Sequence, residues 1–517
     1  MAEFSGRGAL LVGVDKGTSV TKTAVFDEHG NQLAMASRRI PFVHPQPGLH
    51  EEDPERTWEL TADTIRECMA QLGDRVADIA GVGVSGHMGG AWFVDEQGRS
   101  VRNSIAWPDA RASGIVDALE TGPDHEEYLR ICAAGALPGM TVMLLARLAV
   151  TEPDLVNRTH VVLNAKDFIQ LRLTGVAATE PSDVAFTPGD IDTSRGSDRL
   201  LEIVGAATWS GKFAPVLQSG DVLGTVTDIA AMQTGLPAGT PVVAGLGDAP
   251  AGMVGSGALD PGTSVSILGT SWLSANIVTD PHAGRDGIGW MYPMPGRHFA
   301  HFVANTSGAS TLDWWVERLA PEVGVGDKRE FGLLEQEVLA VPEASTAATF
   351  LPYLSAAGVR SPFRDSTVRG TLFGLEDATS RGEIFRAVYE GMAYAMADCY
   401  EAFGTAPTLI RLTGGGANSA IWPTVLSNTM NVPVELLATD EAAALGVAVL
   451  AGVAVGVWPS LEVAVKSTTR IVRRIEPDPE LHAAHRRQFA RFVTAQKIAR
   501  AYYATARSLN PTGADAL

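Results

Sequence analysis

Leu10-Leu-Val-Gly-Val-Asp-Lys-Gly-Thr-Ser-Val-Thr-Lys-Thr-Ala-Val-Phe-Asp27 decides the fold. Residues 10–15 form a short apolar run, and residues 20–27 alternate enough to be its hairpin partner across Lys16-Gly-Thr-Ser19. A third extended stretch follows at 32–40. The same unit returns about 250 residues later as Ser264-Val-Ser-Ile-Leu268, the turn Gly269-Thr-Ser271 and an extended run over 272–278. A repeated strand, Gly-Thr-Ser turn and strand predicts two lobes of related design, each opening its sheet with the same hairpin. Between and after the copies, helical patterns over 54–72, 312–319 and 382–403 alternate with short apolar strands at 79–85, 241–248 and 409–412. This is the signature of an α/β protein.

Size agrees with two lobes: 517 residues exceed one ordinary core and suit two of about 250. The expected division is 8–248 for an N-terminal lobe, 249–460 for a C-terminal lobe, and 461–517 for an extension carrying a basic helix. Hydrophobic content of 45% with 19% charged residues is that of a globular protein. The net charge of −19 opposes binding to polyanions, so no nucleic-acid partner is expected. Arg486, Arg487, Arg491, Lys497, Arg500 and Arg507 read as the solvated face of a C-terminal helix. Cys68, Cys132 and Cys399 lie far apart without metal spacing and read as reduced thiols of a cytoplasmic protein. The N-terminus lacks the order of a signal peptide, and the uncharged stretch 442–458 is short for a span, so no membrane association is expected. A homodimer is admitted as an assembly, although no residue argues for it.

Phosphoryl transfer requires backbone N–H groups for a polyphosphate, a carboxylate for Mg²⁺ and a carboxylate that orients the acceptor hydroxyl. Gly17-Thr18-Ser19 and Gly269-Thr270-Ser271 are turns in which the backbone can approach phosphate oxygens. Asp15 ends its strand just before the first turn and can reach a phosphate-bound Mg²⁺, with turn capping as the alternative. Asp248 ends Pro241-Val-Val-Ala-Gly-Leu-Gly-Asp248 and suits a general base, with helix capping as the alternative. Thr413-Gly-Gly-Gly-Ala-Asn-Ser419, between a strand and a helix, would let a flat adenosine lie against backbone. Gly81-Val-Gly-Val-Ser-Gly86 matches GxGxxG, but its glycines lie within a strand and no helix follows, so a dinucleotide site is not expected. The chain contains no P-loop. His482 and His485, at i, i+3 without a third ligand, read as residues of a surface helix.

With these residues in place, the chain resembles the FGGY carbohydrate kinases. Gly370-Thr-Leu-Phe-Gly-Leu375, seven residues, then Glu383-Ile-Phe-Arg-Ala-Val-Tyr-Glu390 fits that family's C-terminal signature. Val14-Asp-Lys-Gly-Thr-Ser19, Gly48-Leu-His-Glu-Glu-Asp-Pro54, Trp107-Pro-Asp-Ala-Arg111, Gly247-Asp248 and Thr413-Gly-Gly-Gly416 match in order over roughly residues 8–460. The resemblance implies two ribonuclease-H-like lobes around an ATP cleft, with ATP and Mg²⁺ as cofactors. It implies Asp248 as the base, and Asp15 with Asp248 at the metal. Phosphate contacts would come from Thr18, Ser19, Lys22, Gly269 and Thr270. Gly415, Gly416, Ala417 and Asn418 would form the adenosine pocket, and His87, Met88, Trp107, Asp109 and Arg111 with Asp248 the sugar pocket.

The chain departs from the xylulokinase-like pattern where that pattern reads Ser-Gly-Gln-Met-His-Gly and this chain reads Ser85-Gly-His-Met-Gly-Gly90. Met143 and Ala146 stand where Lys and Trp are usual, and Ala249 follows the base where Asn or Gln is common. These traits look closer to the L-xylulose and erythritol kinases. The leading expectation is phosphorylation of a terminal hydroxyl of a ketopentose of xylulose type. A polyol kinase of erythritol or glycerol type is the alternative, and a non-catalytic sugar-binding regulator is the rival.

Overall fold

A computed structural model of the chain describes residues 8–269, 271–283, 287–305, 308–323, 332–355, 358–439 and 441–509. The opening motif forms β1 (Leu10–Lys16) and β2 (Val20–Asp27), paired antiparallel so that Asp15 faces Lys22. Strand β3 (Gln32–Arg39) extends this meander, and β4 (Ile79–Gly86) pairs with β1 in parallel. Strands β5 (Val222–Thr225), β6 (Pro241–Val243) and β7 (Leu246–Gly247) complete a seven-stranded sheet in the order β5-β6-β4-β1-β2-β3, with β7 also lying along β4.

The second copy repeats this topology. Strands β8 (Thr263–Leu268) and β9 (Trp272–Val278) form the hairpin. Strands β10 (Trp290–Pro293) and β11 (Phe299–Asn305) extend it on one side, and β12 (Leu409–Thr413) and β13 (Val434–Leu437) continue in parallel on the other. Strand β14 (Ile471–Ile475) closes the edge antiparallel, as β5 does in the first sheet. In both sheets the hairpin turn emerges at the carboxyl ends of parallel strands, the edge at which open α/β sheets bind ligands.

Local signals place the flanking helices. Helix α1 (Pro54–Leu72) begins with Asp53 accepting from the Glu55 and Arg56 amides, carries Pro at its first position and stops at Gly73, at φ 56°. It packs against β2 and β3, and α2 (Ala165–Thr174) packs against β4. Behind the second sheet lie α4 (Arg381–Ala402), which opens with a Ser380/Glu383 capping box, and α5 (Trp422–Met430).

Two helices fill the space between the sheets: α3 (Asp248–Gly255) and α6 (Ala442–Ala454). One hydrophobic cluster runs from Leu11 and Phe26 through Met253, Val254, Leu445 and Val447 to Val265, Ala275 and Phe302, joining the two lobes. Glycines set its spacing. A Cβ on Gly13 would lie 1.9 Å from the Ala444 carbonyl oxygen, and one on Gly83 would lie 2.1 Å from that of Val447. Where the two helices cross, a Cβ on Gly255 would lie 1.8 Å from the Ala442 oxygen and one on Gly446 would lie 2.0 Å from the Ala251 oxygen. The GxGxxG-like run is thus a seat for α6, and the uncharged stretch at 442–458 is mostly that buried helix.

Two expectations need correction. Residues 241–248 are not one strand: pairing breaks after Val243, and Asp248 is the first residue of α3 rather than the last of a strand. Gly245 presses so close to β4 that a Cβ there would meet the Val84 oxygen at 1.7 Å, and the chain kinks. His485 does not lie on a surface face. Helix α7 (Pro479–Leu509) packs on the C-terminal lobe, and His485 is fully buried, with Nδ1 2.9 Å from the Tyr394 hydroxyl and Nε2 3.0 Å from Glu343 Oε2. Among the described residues no helix is long and apolar enough to cross a membrane.

Gly13→Ala drives a methyl group into a backbone oxygen that no rotamer change can move. It should cost about 3 kcal/mol or more, read as a lowered urea midpoint with an unchanged m-value.

Candidate active site

Register brings the carboxylates together. Ser85 on β4 faces Asp15 on β1 and Leu246 on β7, so the ends of β1 and β7 flank the end of β4. Ser85 Oγ donates to Asp15 Oδ1 at 2.8 Å. Asp248 follows one row beyond, its Oδ1 accepting from the Ala249 amide at 2.7 Å. Burial raises the Asp15 carboxyl above its ordinary value, against the pull of the Ser85 hydrogen bond and of Lys22. Burial and then the Asp15 charge push Asp248 up to about 7. A carboxyl poised there can take a proton at neutral pH.

Beneath these groups lies a buried ion pair. Lys16 Nζ is 2.6 Å from Glu52 Oε2, both side chains fully enclosed, and it lies 5.4 Å from the Trp92 ring centre. Burial would raise the Glu52 carboxyl, but Lys16 and His87 hold it down at about 2. His87 Nε2 is 3.4 Å from Glu52 Oε1. Burial, and then Lys16, lower the His87 pKa, so its ring is neutral. His87 therefore engages the charges under the cleft.

A second buried network grips the segment that leads into Asp248. Lys166 Nζ lies 2.5 Å from Asp183, 2.7 Å from Asp167 and 3.2 Å from Glu180. Glu180 accepts from the Ser182 amide and hydroxyl at 2.9 and 2.5 Å, and Ser182 Oγ in turn accepts from the Gly247 amide at 2.8 Å. Gln170 Oε1 accepts from the Gly245 amide at 2.9 Å. Two backbone donors freed by the kink before Asp248 are thus satisfied by side chains. Burial pushes Asp183 up to about 7 despite Lys166.

The remaining candidates fall into three groups. Thr18 Oγ1 accepts from Trp107 Nε1 at 2.8 Å, and Ser19 is exposed at the tip of the same turn. Met88 is buried against Gly247, where a Cβ would lie 2.4 Å from its sulfur. Asp109 and Arg111 bind each other: Arg111 Nε is 2.8 Å from Asp109 Oδ1, its Nη2 is 2.9 Å from Glu51, and Asp109 Oδ2 accepts from the His50 amide at 2.7 Å. That latch fixes the loop bearing Trp107. Across the cleft, Gly269 donates to the Ser271 carbonyl at 3.0 Å and accepts from the Ala309 amide at 2.8 Å. Thr270 lies outside the described residues. Gly414, at φ 87°, turns the chain into the 3-10 segment Gly415–Asn418, where Gly415 and Asn418 are exposed and Ala417 is buried. Lys22 Nζ bridges the lobes to Glu441 at 2.9 and 3.0 Å. Register thus places Asp15, the Gly17–Ser19 turn and Asp248 at one end of the first sheet, and Gly269 with Gly414 at the corresponding end of the second.

Family comparison agrees with the duplicated sheets. Residues 10–255 match the N-terminal domain of the FGGY family of carbohydrate kinases, and residues 265–455 match its C-terminal domain. The chain belongs to the FGGY family of carbohydrate kinases. It is 30% identical to the erythritol kinase of Brucella abortus (strain 2308) over 508 residues, covering 97% of each chain. With the xylulose kinase of Escherichia coli (strain K12) it shares 32% identity over 464 residues, 87% of this chain and 91% of that one. The crystal structure of a xyloylose kinase from Brucella ovis superposes with a TM-score of 0.85 at 27% identity, covering 97% of this chain and all of that one. As an FGGY kinase, the protein is an ATP-dependent carbohydrate phosphotransferase.

The sequence reading did not single out Lys166, Gln170, Glu180, Ser182 or Asp183. Their only local signal is Lys166-Asp167 in an otherwise apolar helix start, where charge is costly unless paired. Ser182→Ala removes the acceptor for the Gly247 amide. It should lower kcat about tenfold or more while leaving KM for ATP within twofold, measured by steady-state coupled assay.

Proposed function

We propose that this FGGY kinase transfers the γ-phosphoryl group of ATP to a terminal hydroxyl of a small acyclic sugar or polyol, with Asp248 as general base. The observation that carries this reading is the Asp248 carboxyl, held at about 7 at the end of the parallel strands and facing Asp15. Two partly buried carboxylates, both raised, with the Asp15 charge pushing Asp248 up, fit a divalent cation, and Asp15 with Asp248 would hold Mg²⁺ through one or two carboxylates and phosphate oxygens. When bound, Mg²⁺·ATP supplies the transferable phosphoryl group and spreads its charge.

The chain's own residues do the rest. The turn at Gly17–Ser19 offers backbone donors to phosphate, and the exposed face of Gly415 leaves room for the nucleoside. Asp248 accepts the proton of the attacking hydroxyl, and the Ser182 clamp aims it. Lys22 and Glu441 tie the lobes at the cleft base, so closure moves both phosphate turns together and excludes water.

Asp248→Ala should retain ATP binding and lose turnover by roughly two to four powers of ten, followed as acceptor-dependent ADP release across ketopentoses, tetritols, pentitols and glycerol. Wild-type turnover in the variant would reject the assignment. Stability should move the other way. A carboxyl raised from about 3.9 to about 7 favours the fold fully only below the lower value, and this contribution is lost as pH rises to the upper one. Asp248→Asn should therefore raise the Tm of the ligand-free protein by a few degrees at pH 8, with the difference vanishing toward pH 4.

A further inference from the structure

The 3-10 turn Pro181–Ala185, whose Ser182 holds the Gly247 amide, ends at Phe186. Phe186 is tied on both sides: its amide donates to the Asp183 carbonyl at 3.0 Å, and its carbonyl accepts from the Val142 amide at 3.3 Å. The ring is 6% exposed and sits over Gly89, which is held at φ 77°. A Cβ on Gly89 would lie 2.9 Å from Phe186 Cδ1, 3.0 Å from the Gly139 oxygen and 3.3 Å from Trp107 Cβ. The space above Gly89 is thus already filled by the phenyl ring. Behind it the ring stacks on Tyr292, with centres 5.9 Å apart and planes 16° apart, and on Trp290 at 6.4 Å and 28°. Burial, and then the charges of Asp248 and Asp183, raise the Tyr292 hydroxyl well above its ordinary value.

The wall is continuous: Gly247 beside Asp248, then Met88, then Gly89 under Phe186, with Trp107 closing the side. Its indole donors are committed elsewhere: Trp107 Nε1 donates to Thr18 and Trp290 Nε1 donates to the Gly135 carbonyl at 3.1 Å, while His87 is buried 3.4 Å from Glu52 with neither ring nitrogen hydrogen-bonded. Ring faces and a thioether accept C–H groups but leave hydroxyls unpaired, and an unpaired buried hydroxyl is rejected.

We propose that Phe186 sets acceptor length, so that the acceptor is an acyclic polyol of three or four carbons rather than a five-carbon ketose. This rests on the reading of Asp248 as the base. A longer chain anchored at Asp248 carries its extra carbinol and its carbonyl against the Phe186 ring, whereas a short polyol ends before it.

The test is kcat/KM for glycerol, erythritol, D-threitol and L-threitol against D-xylulose and L-xylulose, in the wild type, Phe186→Ala and Phe186→Leu, with thermal melts on each. The wild type should prefer its best short polyol over either ketopentose by about tenfold or more. Phe186→Ala should move that ratio at least tenfold toward the ketopentoses with KM for ATP unchanged, and Phe186→Leu should move it partway. If the Ala variant does not fold, the shift in the Leu variant decides. A wild type that prefers a ketopentose, or a ratio unmoved in a folded variant, overturns the role of Phe186 and leaves Asp248 untouched. If no acceptor stimulates ADP release, or if Asp248→Ala keeps wild-type turnover, the underlying catalytic reading falls with it.

Discussion

Backbone-to-backbone contact between α6 and its neighbours is the constraint on which the architecture depends. Gly13 and Gly83 let the helix lie on the first sheet at a distance no side chain would permit, and Gly255 and Gly446 let it cross α3 just as closely. Helix α3 starts at Asp248, and α6 starts one residue after Glu441, the partner of Lys22. The contact that joins the lobes therefore also fixes the Asp248 carboxylate and the cross-lobe ion pair. A shift of α6 would move the glycine turns of the second lobe relative to Asp15 and Asp248 without disturbing either lobe's own core.

Electrostatics around the cleft follow from how few charges are compensated. Lys16 is paired with Glu52 and Lys166 with three carboxylates, and the pull of Lys16 on Asp248 does not offset burial and the Asp15 charge. Burial raises Asp15, and burial together with the Asp15 charge raises Asp248. Such an arrangement costs stability, as strained or uncompensated groups commonly do.

The turn at 181–186 has two duties. Ser182 supplies the hydroxyl that steadies the residue before Asp248, and Phe186 lies over Gly89. The position of the Asp248 carboxylate and the packing over Gly89 are thereby coupled through six residues.

The fold was legible in the chain itself. The repeated Gly-Thr-Ser hairpin, the alternation of strands and helices, and a buried Ala- and Gly-rich helix are local patterns, because hydrogen-bond periodicity and turn chemistry act between near neighbours. Asp15 and the turn at Gly17–Ser19 were legible for the same reason, as an apolar run meeting a turn, whereas the run before Asp248 is broken and Asp248 opens a helix. The charge clamp, the Lys22 and Glu441 pair separated by 419 residues, the burial of His485 and the place of Phe186 over Gly89 were not. Each depends on which distant segment fills the space beside it, and packing at the density of a protein interior is decided only when the whole chain has closed.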